Sequence, residues 1–496
     1  MRYVAALAAV VAFCTAMVQG RQSPASGTRA VVQEIGLPAI DRGLRDQDPP
    51  RAARTRADAE RVTKDGGQRL PYVPGSVIVK YKGDPDAFDV VAIPLDANPE
   101  AIAAAMRERA DVEFAQPRYR NYAMAKPNDP LYVNQWNFPA IDMERAWDIQ
   151  PGATSQIIVA VLDSGMAFRD VTLRYSIPDP FRMTLNGPIY PALGDVIVPF
   201  AAAPELGASG SPRFVAPRDF IWDDNLPVDL DGHGTHVAGT VGQLTNNSNG
   251  TAGMAYNVRL MPVKIIAGVW DDIFGSPFVG TDDVVARGIR YAVDNGAKVL
   301  NMSIGRAEGG PAPVVEDALR YAVSRGAFVA VASGNTRDSG NQPNRLAQLA
   351  PDIKGVVAVG AVGRTLEVTY YSTTGSFLEL AAPGGDLRPA VNSSGGILQQ
   401  TLDLDLLETF ERPPAQFGPP RADVFVYLPF QGTSMATPHV SGFAALLMQQ
   451  GITSPAAIEA AMKQFATDKG TPGPDDSYGH GLINPRATLR GLGLAR

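Results

Sequence analysis

Between residues 157 and 359 the 496-residue chain repeats one pattern, a short apolar run followed by an amphipathic stretch closed by glycine. The runs at 157–162, 259–265, 298–302, 327–332 and 356–359 are mostly apolar without polar alternation, so each predicts a strand buried on both faces. Between them, 282–295 places Val285, Ile289, Ala292 and Val293 on one helical face and stops at Gly296. Residues 314–325 do the same with Ala318, Leu319, Ala322 and Val323 before Gly326. Strand, helix, strand in this order buries its apolar surface as a parallel sheet with helices on both faces. The pattern therefore predicts an α/β fold, a three-layer doubly wound mainly parallel sheet, with functional groups gathered at the strands' carboxyl ends.

The rest of the chain is organised around that core. Arg2 precedes an apolar run over 4–18 that is too short to span a bilayer comfortably, so residues 1–20 are expected to be a secretory signal cleaved near Gly20. A retained N-terminal anchor is the alternative. Residues 21–70, rich in Arg, Asp, Gln and Pro, read as a flexible linker. In 71–125, strand patterns at 76–81 and 112–119 flank a helix former at 101–110, a small α+β unit that needs a partner surface for stability. The larger domain is expected over 126–496, interrupted near 166–229 and 386–430 by long Pro-rich stretches read as surface insertions. The second insertion carries Leu402, Leu404, Leu406, Leu407 and Phe410 and either shapes one rim of a cleft or packs as a flap.

Composition removes some functions. The lone cysteine, Cys14, lies inside the expected signal, so rigidity must come from packing or bound ions rather than disulfides. A net charge of −7 with no basic stripe excludes a nucleic-acid partner. No later segment resembles a membrane span, so no stable membrane insertion is expected after signal cleavage.

Three segments carry chemistry. Asp163-Ser164-Gly165 puts a carboxylate where a predicted strand ends. Asp231-Gly232-His233-Gly234-Thr235-His236-Val237-Ala238-Gly239 holds two of the four histidines. As a metal pair, His233 and His236 lack both the Glu of a His-Glu-x-x-His helix and any Cys partner. Gly432-Thr433-Ser434 runs into an apolar helical pattern, so Ser434 sits at a helix N-terminus, where unpaired N–H groups favour developing negative charge. Asn335, after Ser333-Gly334, is either a turn residue or an amide donor. His439 reads as a core residue and His480 as a surface-loop one.

In this order the three segments resemble the subtilisin-like serine proteases, as do Asn301-Met302-Ser303-Ile304-Gly305, Ala382-Pro383-Gly384 and Tyr478-Gly479-His480-Gly481. An α/β-hydrolase esterase would want Gly-x-Ser-x-Gly, where this chain has Ala436, and a different residue order. The resemblance implies Ser434 as nucleophile, His233 as general base, Asp163 as its orienting carboxylate and Asn335 as oxyanion donor. It further implies that Ser303, Gly305, Ala332, Ser333 and Gly334 bind substrate. Protein or peptide substrates are expected, with the 71–125 unit as an intramolecular inhibitor and chaperone, removed by cutting between Arg120 and Asn128. A secreted, extracellular or periplasmic monomer is expected. Loop 246–251 is similar to the family's calcium loop, with Gln135, Asn247, Asn249 and Thr251 as Ca²⁺ ligands; a polar turn without an ion is the other reading. With His233 as a neutral base, activity is expected to fall below about pH 6 to 7.

Overall fold

A computed structural model describes residues 72–83, 88–119, 126–306, 308–388 and 395–491. The expected signal with Cys14, the linker and most of the 120–128 processing region lie outside the described residues. Residues 182–188 belong to a separate contact unit, in which the Arg182 guanidinium donates to the Gly187 carbonyl.

The first described segment is a three-stranded antiparallel sheet in the order β2-β1-β3, formed by β1 (Tyr72–Tyr81), β2 (Asp89–Ala92) and β3 (Val112–Tyr119). Helix α1 (Pro99–Arg107) starts where Asn98 accepts from the Glu100 and Ala101 amides, with proline at the first position, which needs no N–H. Its Ala103 packs with Val77, Val79, Val112 and Ala115 into a small core.

The main sheet has seven strands, all paired in parallel. In chain order these are β4 (Ile158–Asp163), β7 (Arg218–Asp219), β8 (Arg259–Lys264), β9 (Val299–Met302), β10 (Phe328–Ala332), β11 (Val356–Val362) and β12 (Leu380–Pro383). Across the sheet the order is β12-β11-β10-β9-β4-β8-β7. Alternation decides which face each residue serves. Ile158, Ala160 and Leu162 share a core with Val285 and Ile289 of α4 (Asp282–Asp294) and Ala318 and Leu319 of α5 (Pro313–Ser324). Val159 and Val161, also fully buried, point to the opposite face. There α2 (His233–Gly242), α6 (Thr433–Gln449) and α7 (Pro455–Gln464) pack, with α2 against α6. Both faces are covered, which is why the strands read as unbroken apolar runs.

Each long interruption carries an antiparallel hairpin, β5 (Val171–Ile177) with β6 (Gly194–Phe200) and β13 (Ile397–Leu402) with β14 (Phe425–Phe430). The second hairpin is not peripheral: β13 is almost wholly buried against α2. His236 Nε2 faces the carbonyls of Ile397 at 3.0 Å and Leu428 at 3.1 Å, so it carries the proton, and its ring stacks on Phe430 with centroids 4.2 Å apart. Burial holds His236 down at about 3, which keeps it neutral and makes it a structural residue. The two interruptions meet through Phe417, whose ring packs against Tyr190 and against Trp270 of α3 (Val269–Phe274).

Candidate active site

Asp163 ends β4 and is fully buried. Its Oδ1 accepts from His233 Nδ1 at 2.7 Å and from the Ser164 amide at 2.7 Å. Donation from Nδ1 fixes the tautomer and leaves Nε2 as the basic nitrogen. His233 opens α2, and the two elements come this close because glycines line the seam: a Cβ on Gly234 would lie 2.1 Å from the Gly165 carbonyl oxygen. Burial has the largest influence on His233 and pulls its pKa down, but the charge and hydrogen bond of Asp163, then Asp231 and Asp229, outweigh it and lift His233 to about 9. Asp231 is itself pushed up to about 6, mainly by burial and then by Asp229.

Ser434 lies in the first turn of α6, half-buried. Its position is set by a proline four residues on. Pro438 has no N–H to give the Ser434 carbonyl, and that carbonyl accepts from Ser303 Oγ at 2.7 Å instead. Ser303 Oγ in turn accepts from Asn301 Nδ2 at 3.0 Å, and Ser441 Oγ donates to Asn301 Oδ1 at 2.8 Å. The Ser434 hydroxyl donates to the Ser303 carbonyl at 3.1 Å, not to His233. Of the three residues, then, Asp163 and His233 are joined directly, whereas the Ser434 hydroxyl is spent on the Ser303 carbonyl.

Asn335 is exposed just beyond β10. Its Oδ1 accepts from both the amide and the hydroxyl of Thr433, each at 2.9 Å, so its NH2 points away from Thr433. A Cβ on Gly432 would sit 3.5 Å from Asn335 Nδ2 and 3.6 Å from the Ser434 amide nitrogen. Gly432 therefore keeps open a space that both N–H groups border. Its φ of 151° adds a second reason for glycine.

The model of the subtilase family, peptidase S8, matches residues 154–481. The chain belongs to the subtilases. It is 29% identical over 436 residues to a thermophilic serine proteinase of Bacillus sp. (strain AK1), covering 83% of this chain and 86% of that one. It is 29% identical over 341 residues to thermitase of Thermoactinomyces vulgaris, covering 68% and 91%. Among solved structures, proteases from Pseudoalteromonas arctica match with a TM-score of 0.50 and 30% identity, covering 74% of this chain and 99% of theirs. Membership makes this subtilase a serine-type endopeptidase that hydrolyses peptide bonds in proteins.

The segments expected to line its cleft are tied together by a residue the sequence reading missed. Asn344 Nδ2 donates to the carbonyls of Ala332 at 2.6 Å and Ile304 at 3.0 Å, bridging the ends of β10 and β9. A Cβ on Gly305 would collide with the Asn344 amide. Ser333 is buried and donates to the Thr373 carbonyl, and the Gly334 amide donates to Thr433 Oγ1 at 3.2 Å.

Of the four side chains expected to ligate Ca²⁺, Gln135, Asn247 and Thr251 have their oxygens in hydrogen bonds within the protein. Gln135 uses both ends of its amide on Ala252, accepting from its N–H at 2.7 Å and donating to its carbonyl at 2.9 Å. Asn247 Oδ1 accepts from the Asn249 amide. Thr251 Oγ1 accepts from Gln243 Nε2 and bonds Gln399 Oε1. Two buried carboxylates stand at the loop: Glu205 accepts from the Asn249 and Gln243 side-chain amides, and Asp129 accepts from the Asn246 and Asn247 backbone amides. With both carboxylates satisfied by amide donors, the set as arranged does not present the six or more free oxygens that Ca²⁺ takes.

The other two histidines lie elsewhere in the fold: His480 is half-buried, its amide donating to the Glu379 carbonyl at 2.8 Å. His439 is fully buried and bonds the Met435 carbonyl and the Asn137 amide, as a core histidine.

Proposed function

We propose that this subtilase is exported as a precursor, that its 71–125 unit is an inhibitory pro-segment, and that Ser434, His233, Asp163 and Asn335 carry the reaction. The observation that supports the assignment best is the 2.7 Å hydrogen bond from His233 Nδ1 to a buried carboxylate, with Nε2 left for the serine. Ser434 Oγ attacks the scissile carbonyl carbon while its proton passes to His233 Nε2. The resulting oxyanion takes hydrogen bonds from Asn335 Nδ2 and the Ser434 amide. Collapse breaks the C–N bond, and the leaving amine takes the proton from Nε2. Water then repeats the sequence on the acyl-enzyme. Export is supported by the apolar run at 4–18; among the described residues no helix is long and apolar enough to cross a membrane. A serine-directed fluorophosphonate is expected to label the mature enzyme once per chain, at Ser434, as read by peptide mass. Full inhibition with the label on another serine would remove Ser434 from the mechanism.

The raised His233 pKa changes the pH expectation. Only neutral imidazole takes the proton from Ser434, so kcat/KM falls as pH drops through the pKa of the free enzyme. The acid limb is expected well above the 6 to 7 of an ordinary histidine, toward the value of about 9 to which the surrounding carboxylates lift His233. A pH profile of kcat/KM with its acid limb at or below 6.5 would contradict this environment.

Because the 246–251 loop closes through amides, a chelator is expected to leave the melting midpoint unchanged. A midpoint that falls in chelator and returns with Ca²⁺ would contradict this.

A further inference from the structure

Four residues before His233, Asp229 is 1% exposed and accepts five hydrogen bonds. Oδ1 accepts from Ser164 Oγ at 3.0 Å, the Asp231 amide at 3.0 Å and the Gly232 amide at 2.9 Å. Oδ2 accepts from the Thr235 amide at 2.9 Å and the Thr235 hydroxyl at 2.6 Å. These donors come from two elements. Ser164 belongs to the turn that follows Asp163, and Ser164 Oγ also accepts from the Gly234 amide at 3.0 Å. Gly232 and Thr235 belong to the start of α2, and Thr235 Oγ1 also accepts from the Ala167 amide at 3.0 Å. One carboxylate thus ties both sides of the seam across which His233 meets Asp163. Its backbone is held too, since Lys264 Nζ donates to the Val228 carbonyl at 3.1 Å.

We propose that Asp229 is a positioning residue for catalysis, fixing the Asp163–His233 hydrogen bond by clamping the turn after β4 to the first turn of α2. The inference rests on the assignment of Asp163 and His233 made above. The chemistry requires a carboxylate. Every partner of both oxygens is a donor, so an asparagine of the same shape would aim its NH2 at donors on one side, leaving them unpaired in a buried site. The negative charge also lies at the positive end of α2, beside the imidazolium that forms during the reaction. A fold-only role would be satisfied by any variant that keeps the loop in place.

The test is Asp229→Asn in the full-length precursor, matured and counted by active-site titration, alongside Thr235→Val, Thr235→Ser and Ser434→Ala. In Asp229→Asn, kcat per titrated site is expected to fall about 10- to 100-fold, the scale of a sub-ångström to ångström misplacement, while KM changes less than about threefold. Its acid limb should move down by a measurable fraction of a pH unit as the clamp loosens and one charge is lost. Thr235→Val removes one donor and is expected to lower kcat several-fold, and Thr235→Ser, which keeps the hydroxyl, to restore it. If Asp229→Asn does not accumulate as folded enzyme, the threonine pair carries the decision through the same two readouts. Unchanged kcat and an unmoved acid limb in folded Asp229→Asn, or in Thr235→Val, would overturn the proposal. Activity surviving in Ser434→Ala would instead overturn the catalytic assignment beneath it.

Discussion

Ser434→Ala is expected to lower kcat by about a million-fold, the scale for losing an activated serine nucleophile in this family. Nothing else in the site replaces it. The neighbouring Thr433 hydroxyl is buried and donates to Asn335 Oδ1, and alanine at 434 is expected to leave the helix start, the Ser303 contact to the 434 carbonyl and the fold intact. The variant therefore separates chemistry from folding. If the 71–125 unit is removed by the enzyme's own site, the same variant should accumulate as full-length precursor, seen as a single higher band on a denaturing gel. Spontaneous maturation of purified Ser434→Ala would assign the cut to another residue.

Asp163→Asn comes next in size, at about ten-thousand-fold in kcat. Asparagine keeps the shape of the buried side chain. Its amide can still accept from the Ser164 N–H, but if the NH2 turns toward His233 it donates to Nδ1, which forces the imidazole proton onto Nε2, where the base is needed. The loss should appear in kcat with little change in KM, because Asp163 is fully buried and does not reach substrate. The acid limb should also fall, since the carboxylate that does most to raise His233 is gone. A variant that keeps within tenfold of the parent kcat would show that the 2.7 Å bond is not part of catalysis.

The sequence revealed the layers of the fold more readily than the fastening of the site. Five strands were legible because each is buried on both faces and its apolar run has no interruption. The edge strands β7 and β12 were not, since two residues, Arg218 and Asp219, and the short Leu380–Pro383 segment carry too little pattern to register. Strand β2 was missed for the same reason: four residues, mostly exposed, paired to one neighbour. Asp163, His233, Asn335 and Ser434 were singled out from the short segments that hold them, and of these the structure joins Asp163 to His233 directly. Their supports were not legible. Asp229 meets Ser164 across 65 positions and Ser303 meets Ser434 across 131, so no local spacing announces either contact. The second interruption, readable in sequence either as one rim of a cleft or as a packed flap, holds a hairpin that packs on α2, where Thr401 Oγ1 donates to the Gly232 carbonyl just before His233. The expected calcium loop is engaged in hydrogen bonds that sequence spacing does not show: Gln135 Oε1 accepts from the Ala252 amide, and Asn249 turns its Nδ2 to Glu205.

The central claim is that His233 stands between Asp163 and Ser434 and transfers the proton that one hydroxyl must lose. A crystal structure of the mature enzyme with a peptidyl phosphonate bound covalently to Ser434 Oγ tests this directly. The account predicts His233 Nε2 within hydrogen-bonding distance of Ser434 Oγ, its Nδ1 still on Asp163, and one phosphonyl oxygen between Asn335 Nδ2 and the Ser434 amide. An adduct in which the His233 ring stays out of reach of Ser434 Oγ, or in which the phosphonyl oxygen turns away from Asn335, would contradict it.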